Sequence, residues 1–152
     1  MGLMLFFIFS LLSGAAVFLS GSKILTRAVT LLYGLSLIGF AFYAWLNIDT
    51  TELVYFTFNS TGVLFLSVLA VLAIPTMYHG FIYTSDDNTR KSNVYHAALI
   101  ALMTFMAGAY LANGMTVLWI FVEATTLAVA ALIYHDRTDS ALEATWKYVF
   151  IC

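Results

Sequence analysis

Three side chains of this sequence stand where they could handle protons. Glu123 is the one charged residue between Met115 and Tyr134. A helix over that stretch is long enough to cross a bilayer, which puts its carboxyl group near the midplane. A charge at that depth costs roughly 2.5–3.5 kcal/mol on insertion scales, so such residues face protein or water and mark proton or ion paths. Low dielectric and a nearby cation pull a carboxyl group's proton affinity in opposite directions, and a group held between them can load and release a proton near neutral pH. The plainer alternative is a protonated glutamic acid hydrogen-bonded to a neighbouring helix. Lys147, between Trp146 and Tyr148, could be the ammonium that tunes Glu123. It could equally be an interfacial lysine that snorkels to the headgroups and pairs with Glu143 at i,i+4. His79 follows the lone proline, Pro75, by one turn. It could shuttle protons, or sit at the interface without a transport role.

These residues need elements to hold them. Five apolar segments approach or exceed the roughly 20 residues of a spanning helix: Leu3–Ser20, Ile24–Leu46, Gly62–Tyr83, Val94–Ala112 and Met115–Tyr134. A sixth begins near Leu142 and stops at Cys152. Lipid offers the backbone no hydrogen bonds, so the segments must be helices. The expected fold is all-α: one polytopic transmembrane bundle over residues 1–152, with five full helices and a truncated sixth. The connections agree. Gly21-Ser22 and Asn113-Gly114 are tight turns, Asn47–Thr61 is a polar-aromatic loop with room for a short interfacial helix, and Thr84–Lys91 and His135–Ala141 are polar. The first run has no Lys or Arg before it, so it reads as a helix rather than a signal peptide. Met1-Gly2 is no myristoylation signal, since Phe6 occupies the Ser/Thr position.

Composition supports the membrane class. The chain is 62% hydrophobic and 9% charged, against about 25% charged for a soluble domain. Its net charge of -2 says little, since placement matters more than the sum, and no basic cluster suggests nucleic acid. Lys23, Arg27, Arg90, Lys91, Arg137 and Lys147 all fall on one side of the bundle or enter the membrane from it. By the positive-inside rule that side is cytoplasmic and the N-terminus is outside. Cys152, the single cysteine, excludes an internal disulfide.

Other residues read as structural. On the fifth helix Glu123 shares a face with Trp119, Thr126, Leu127 and Ala130, while Ala124, Ala128 and Ala131 form a small-residue stripe for close helix approach. Pro75 should kink the third helix, either as plain architecture or to open a hydrated cavity. His96 reads as interfacial and His135 as a solvated loop residue. Arg27 is a topology anchor, and Asp86, Asp87, Asp136 and Asp139 are solvated loop charge. Trp45, Tyr55, Tyr83 and Tyr134 fit interfacial belts. Gly108 and Ala112 suggest helix packing only, and Asn59-Ser60-Thr61 is a chance glycosylation match beside a helix. No metal-ligand spacing, phosphate loop or nucleophile elbow is present.

The run Trp119-Ile-Phe-Val-Glu123-Ala-Thr-Thr-Leu, followed by Ser140-Ala-Leu-Glu-Ala-Thr-Trp-Lys147-Tyr-Val, resembles the antiporter-like membrane subunits of respiratory complex I and energy-converting hydrogenases, and most closely the hydrogenase-4 component F type. The resemblance is sharpest over the last forty or so residues. It implies that Glu123 and Lys147 match a membrane-embedded charged chain. It also implies proton translocation driven by redox chemistry in other subunits of an NADH-quinone oxidoreductase or hydrogenase complex, with no redox centre or cofactor in this chain. Partners would be the lipid bilayer and other membrane subunits, with the cell inner membrane as location. Members of that family have about fourteen helices, so the resemblance implies an N-terminal portion that does not pump alone. The alternatives from other classes are a stand-alone small membrane protein with a structural or assembly role, and an unrelated small carrier with a cavity at Pro75 and Glu123.

Overall fold

A computed structural model describes residues 1–152. It is an all-helical bundle: α1 (Gly2–Leu19), α2 (Lys23–Leu46), α3 (Ser60–Tyr83), α4 (Thr89–Leu111), α5 (Met115–Ile133) and α6 (Asp139–Ile151). The first five are long and apolar enough to cross a membrane, and the protein is an integral membrane protein on that ground. Large apolar side chains such as Leu11, Leu35, Phe42, Val71 and Trp119 point outward along α1, α2, α3 and α5, as lipid rather than water requires, while the central α4 exposes none.

The core is aromatic and aliphatic, drawn from α1 to α4. Phe6 stacks on Phe40 with ring centroids 4.3 Å apart, beside the fully buried Tyr33, Leu37, Leu66 and Ile100. α4 is the hub and packs against α1, α2, α3 and α5. Gly62 is why α3 lies so close to it: a Cβ there would stand 2.3 Å from the Tyr110 carbonyl oxygen of α4. α3 starts where the Asn59 side chain accepts from Gly62 N at 2.6 Å. It continues without a break through Pro75 to Tyr83.

α5 and α6 bury the fewest residues, although α5 lies closely along α4. Of α5 only Ala128 and Ala130 are buried, and of α6 no residue is. α5 docks on α4 through Phe121, whose ring fills the space a side chain at Gly108 would need. The same ring meets Phe7 at 5.8 Å and Phe56 at 5.8 Å.

The connections differ from expectation in two places. The loop after α2 forms no interfacial helix. It folds as a two-stranded antiparallel hairpin, β1 (Thr51–Glu52) and β2 (Phe56–Thr57), whose turn residues Leu53 and Val54 have φ of 55° and 64°. The hairpin is tied to the α4–α5 connection by Asn113 N–H donating to the Tyr55 carbonyl at 2.8 Å. α4 also begins at Thr89 rather than near Val94, so Arg90 and Lys91 belong to its first turn. The chain alternates ends as expected. The α1–α2, α3–α4 and α5–α6 connections meet at one end, and the hairpin, the α4–α5 turn and the N-terminus meet at the other.

Candidate functional site

Glu123 is the ninth residue of the 19-residue α5, hence close to mid-span. Its direction follows from Phe121. That ring is driven inward against α1 and α4, and two residues further on a helix turns about 200°. The Glu123 side chain is therefore on the outer face, exposed in this chain beside Trp119 (65% exposed) and Leu127 (59%), and not turned into the bundle as expected of a mid-span charge. Its carboxyl group has no hydrogen bond or ion pair within the chain, and only its carbonyl is engaged, accepting from the Thr126 hydroxyl at 2.7 Å. Of the small-residue stripe, Ala124 and Ala128 face the bundle, whereas Ala131 faces out.

Lys147 is not brought to Glu123. Its Nζ lies 2.5 Å from Glu143 Oε1, an exposed i,i+4 pair on α6. His79 is on the exposed side of α3, with its ring 6.3 Å from that of Tyr83. Pro75 lines none of the larger grooves, so no cavity joins it to Glu123.

The buried polar groups are elsewhere. At the basic end, His135 is 3% exposed by its side chain, and its Nε2 lies 2.7 Å from Asp87 Oδ2. The reading of both as solvated loop residues is corrected here: the 3-10 turn Tyr134–Asp136 folds the ring under Tyr83 and Tyr95, at 5.5 and 5.0 Å. Lys91 Nζ stands 3.1 Å from the other Asp87 oxygen, and the Tyr83 hydroxyl donates to Asp136 at 3.0 Å. Burial pushes the Asp87 carboxyl group up, but the hydrogen bonds from His135 and Lys91 outweigh it and hold it below the ordinary range. This clamp joins the α3–α4 connection to the end of α5, the helix that carries Glu123. His96, read as interfacial, is in fact 1% exposed. Its Nδ1 faces the Ser92 carbonyl at 2.8 Å, and its Nε2 is buried without a partner.

Deeper in the bundle, Ser10 (α1), Tyr33 (α2) and Thr104 (α4) form a buried hydroxyl cluster. Thr104 Oγ1 bonds to Ser10 Oγ and lies 2.9 Å from the Tyr33 hydroxyl. Thr104 donates to the Ile100 carbonyl at 2.8 Å and can accept from both neighbours, so the two cross-helix bonds lock three helices in register. At the opposite end the Glu52 carboxylate accepts from Gly2 N–H at 3.2 Å, Leu3 N–H at 2.9 Å and the Tyr43 hydroxyl at 2.8 Å, with the Met1 amine 2.7 Å away. Burial raises this carboxyl group, yet the four donors win and hold it at about 2. The sequence signal for these groups was faint: single hydroxyls inside apolar runs, and a lone glutamate in a loop.

Against known proteins, the chain is similar to a hydrogenase-4 component F homolog of Methylacidiphilum infernorum, 33% identical over 57 residues. Those residues are 38% of this chain and only 12% of that relative. No family model matches the chain, and no solved structure matches it.

Proposed function

We propose that the chain is the N-terminal part of a proton-translocating, antiporter-like subunit of a redox-driven membrane complex of the hydrogenase or NADH-quinone oxidoreductase type. One observation carries the reading: an ionisable carboxyl group at mid-span on the outer face of the spanning helix that buries the fewest residues. A carboxyl group left against hydrocarbon is costly. A further helix of the same complex, laid over α5 and α6, would enclose Glu123 and supply the partner it lacks within these residues. The partial similarity to a hydrogenase-4 component supports the class of complex. In this reading Glu123 is the exchangeable group. Lys147 tunes it by leaving Glu143 when the covering helix arrives, and His79 is an accessory group toward the basic end. That end faces the cytoplasm of a cell inner membrane, in keeping with where every Lys and Arg falls.

The test is Glu123→Gln in the assembled parent complex. Proton pumping falls while assembly and electron transfer are kept. Normal pumping by a well-assembled variant removes Glu123 from the path. The reading of a stand-alone membrane protein with a structural or assembly role is favoured by one feature: Lys147 pairs with Glu143 on its own exposed helix and not with Glu123. Carbodiimide labelling in native membranes separates the two: a carboxyl group that exchanges protons is modified at a rate that changes with pH, and a static packing group is modified at a rate that does not.

A further inference from the structure

Two adjoining recesses lie on the α1–α4 side, the first reaching in to Ser10 and Thr104 of the hydroxyl cluster. The first is an apolar groove of about 510 Å³ between α1 and α4, walled by Leu11, Gly14, Phe18, Ala97, Ala101 and Phe105. The second is a polar pocket of about 390 Å³ at the basic end, lined by Ser20, Arg90 and Asn93 among others, with no acidic residue. Phe18 borders both, so the pocket adjoins the basic end of the groove. Arg90 is exposed and has no ion pair or hydrogen-bond partner, unlike Lys91 beside it, which is held by Asp87. Along α1 the groove runs from Phe18 to Phe7, about 16 Å at 1.5 Å per residue. That is the depth of one leaflet of a roughly 30 Å hydrocarbon core.

We infer that this side of the protein binds one anionic glycerophospholipid of the leaflet at the basic end, with an acyl chain along α1 and α4 and the phosphate at Arg90. An unpaired guanidinium suits phosphate, to which it can offer two parallel donors. The pocket lies at headgroup level and the groove beneath it is one chain deep, so a single lipid fills both. A free phosphate would leave the groove empty, and a zwitterionic lipid would bring its own headgroup cation beside Arg90 into a pocket with no acidic residue to hold it.

Native mass spectrometry of the protein, released from nanodiscs of phosphatidylcholine with a minor share of phosphatidylglycerol, reads the retained lipid. The wild-type protein should hold phosphatidylglycerol enriched about fivefold over its share in the disc, the preference expected of one cation at an anionic headgroup. Arg90→Gln should bring the enrichment to about one while lipid is still retained. Gly14→Leu should remove retained lipid of either headgroup. Nothing but an Ile100 methyl group, at 4.0 Å, meets a Cβ placed at Gly14, so the new side chain enters the groove without striking backbone. If that variant does not fold, Ala101→Phe on the facing wall blocks the same space. The inference is overturned by equal retention of the two lipids in the wild type, by enrichment that survives Arg90→Gln, or by a blocked groove that holds lipid as before. A lipid-free dimer in the wild type also overturns it and gives the groove to a second copy of the chain.

Discussion

The clamp between His135 and Asp87 should carry a measurable share of the stability of α5, and a double-mutant cycle isolates it. The perturbations are His135→Leu, which keeps most of the buried volume, and Asp87→Asn, which keeps the shape and removes the charge. The bond is 2.7 Å long, with side-chain exposures of 3% and 20%. Hydrogen bonds to a charged group contribute about 1.5–3 kcal/mol, so a coupling of about 2 kcal/mol is expected. The single variants lose more than this. His135→Leu also gives up ring contacts with Tyr83 and Tyr95, about 0.5–1.5 kcal/mol each. Asp87→Asn also weakens the Lys91 pair at 3.1 Å, worth up to about 1 kcal/mol. Those losses occur with and without the second substitution, so they cancel in the cycle. Unfolding in mixed micelles, followed by the fluorescence of Trp119 on α5 in a background with Trp45 and Trp146 replaced by Phe, gives the four stabilities. A coupling below about 0.5 kcal/mol would refute the clamp and return His135 to the status of a packed ring. Asp87 also sets a sign for pH. Its carboxyl group is held below the ordinary range, so the contribution is whole above about pH 4 and is lost as pH falls through the lowered value.

Other outcomes follow from particular contacts. Gly62→Ala should destabilise by about 1–3 kcal/mol, because its Cβ meets the Tyr110 carbonyl at 2.3 Å; an unchanged thermal midpoint would contradict that approach of α3 and α4. Glu52→Gln should cost about 2 kcal/mol at neutral pH. In the wild type this contribution is whole above pH 4.5 and declines as pH falls toward about 2, so thermal melts of the two proteins should converge in acid. Thr104→Val should cost about 1–3 kcal/mol by stranding the Ser10 and Tyr33 hydroxyls, measured by the same micelle unfolding. Replacing Leu53-Val54 by Asn-Gly should raise stability by about 1 kcal/mol or more, since two non-glycine residues there hold positive φ; hydrogen exchange of the hairpin amides reads the gain.

Much of the architecture was legible because the bilayer acts on each segment separately. Apolar length alone forces Gly2–Leu19 and its four spanning successors into helices, and the turn at Asn113-Gly114 and the alternation of basic ends needed no partner to be read. Register within a helix was half legible. The spacing of Ala124 and Ala128 marks a packing stripe, and the structure turns it toward the bundle. Nothing in the same pattern says that Phe121 would take the inner position and send Glu123 outward. His135 shows the limit most clearly. In sequence it sits in a short charged loop, where solvation is the natural reading, and it is buried because a 3-10 turn brings it under two tyrosines of other helices.

The sequence by itself determined that this is a membrane bundle, how many helices are long enough to span, which end is basic, and that a carboxyl group lies midway along the fifth helix. Those properties depend on each residue's own transfer from water to lipid, which is local and additive along the chain. The tertiary structure decided which polar groups meet: Asp87 with His135, Ser10 with Thr104 and Tyr33, Glu52 with the start of α1, and Lys147 with Glu143 rather than with Glu123. Those pairings depend on which face each helix turns to its neighbours, and close packing of side chains from distant segments fixes that choice.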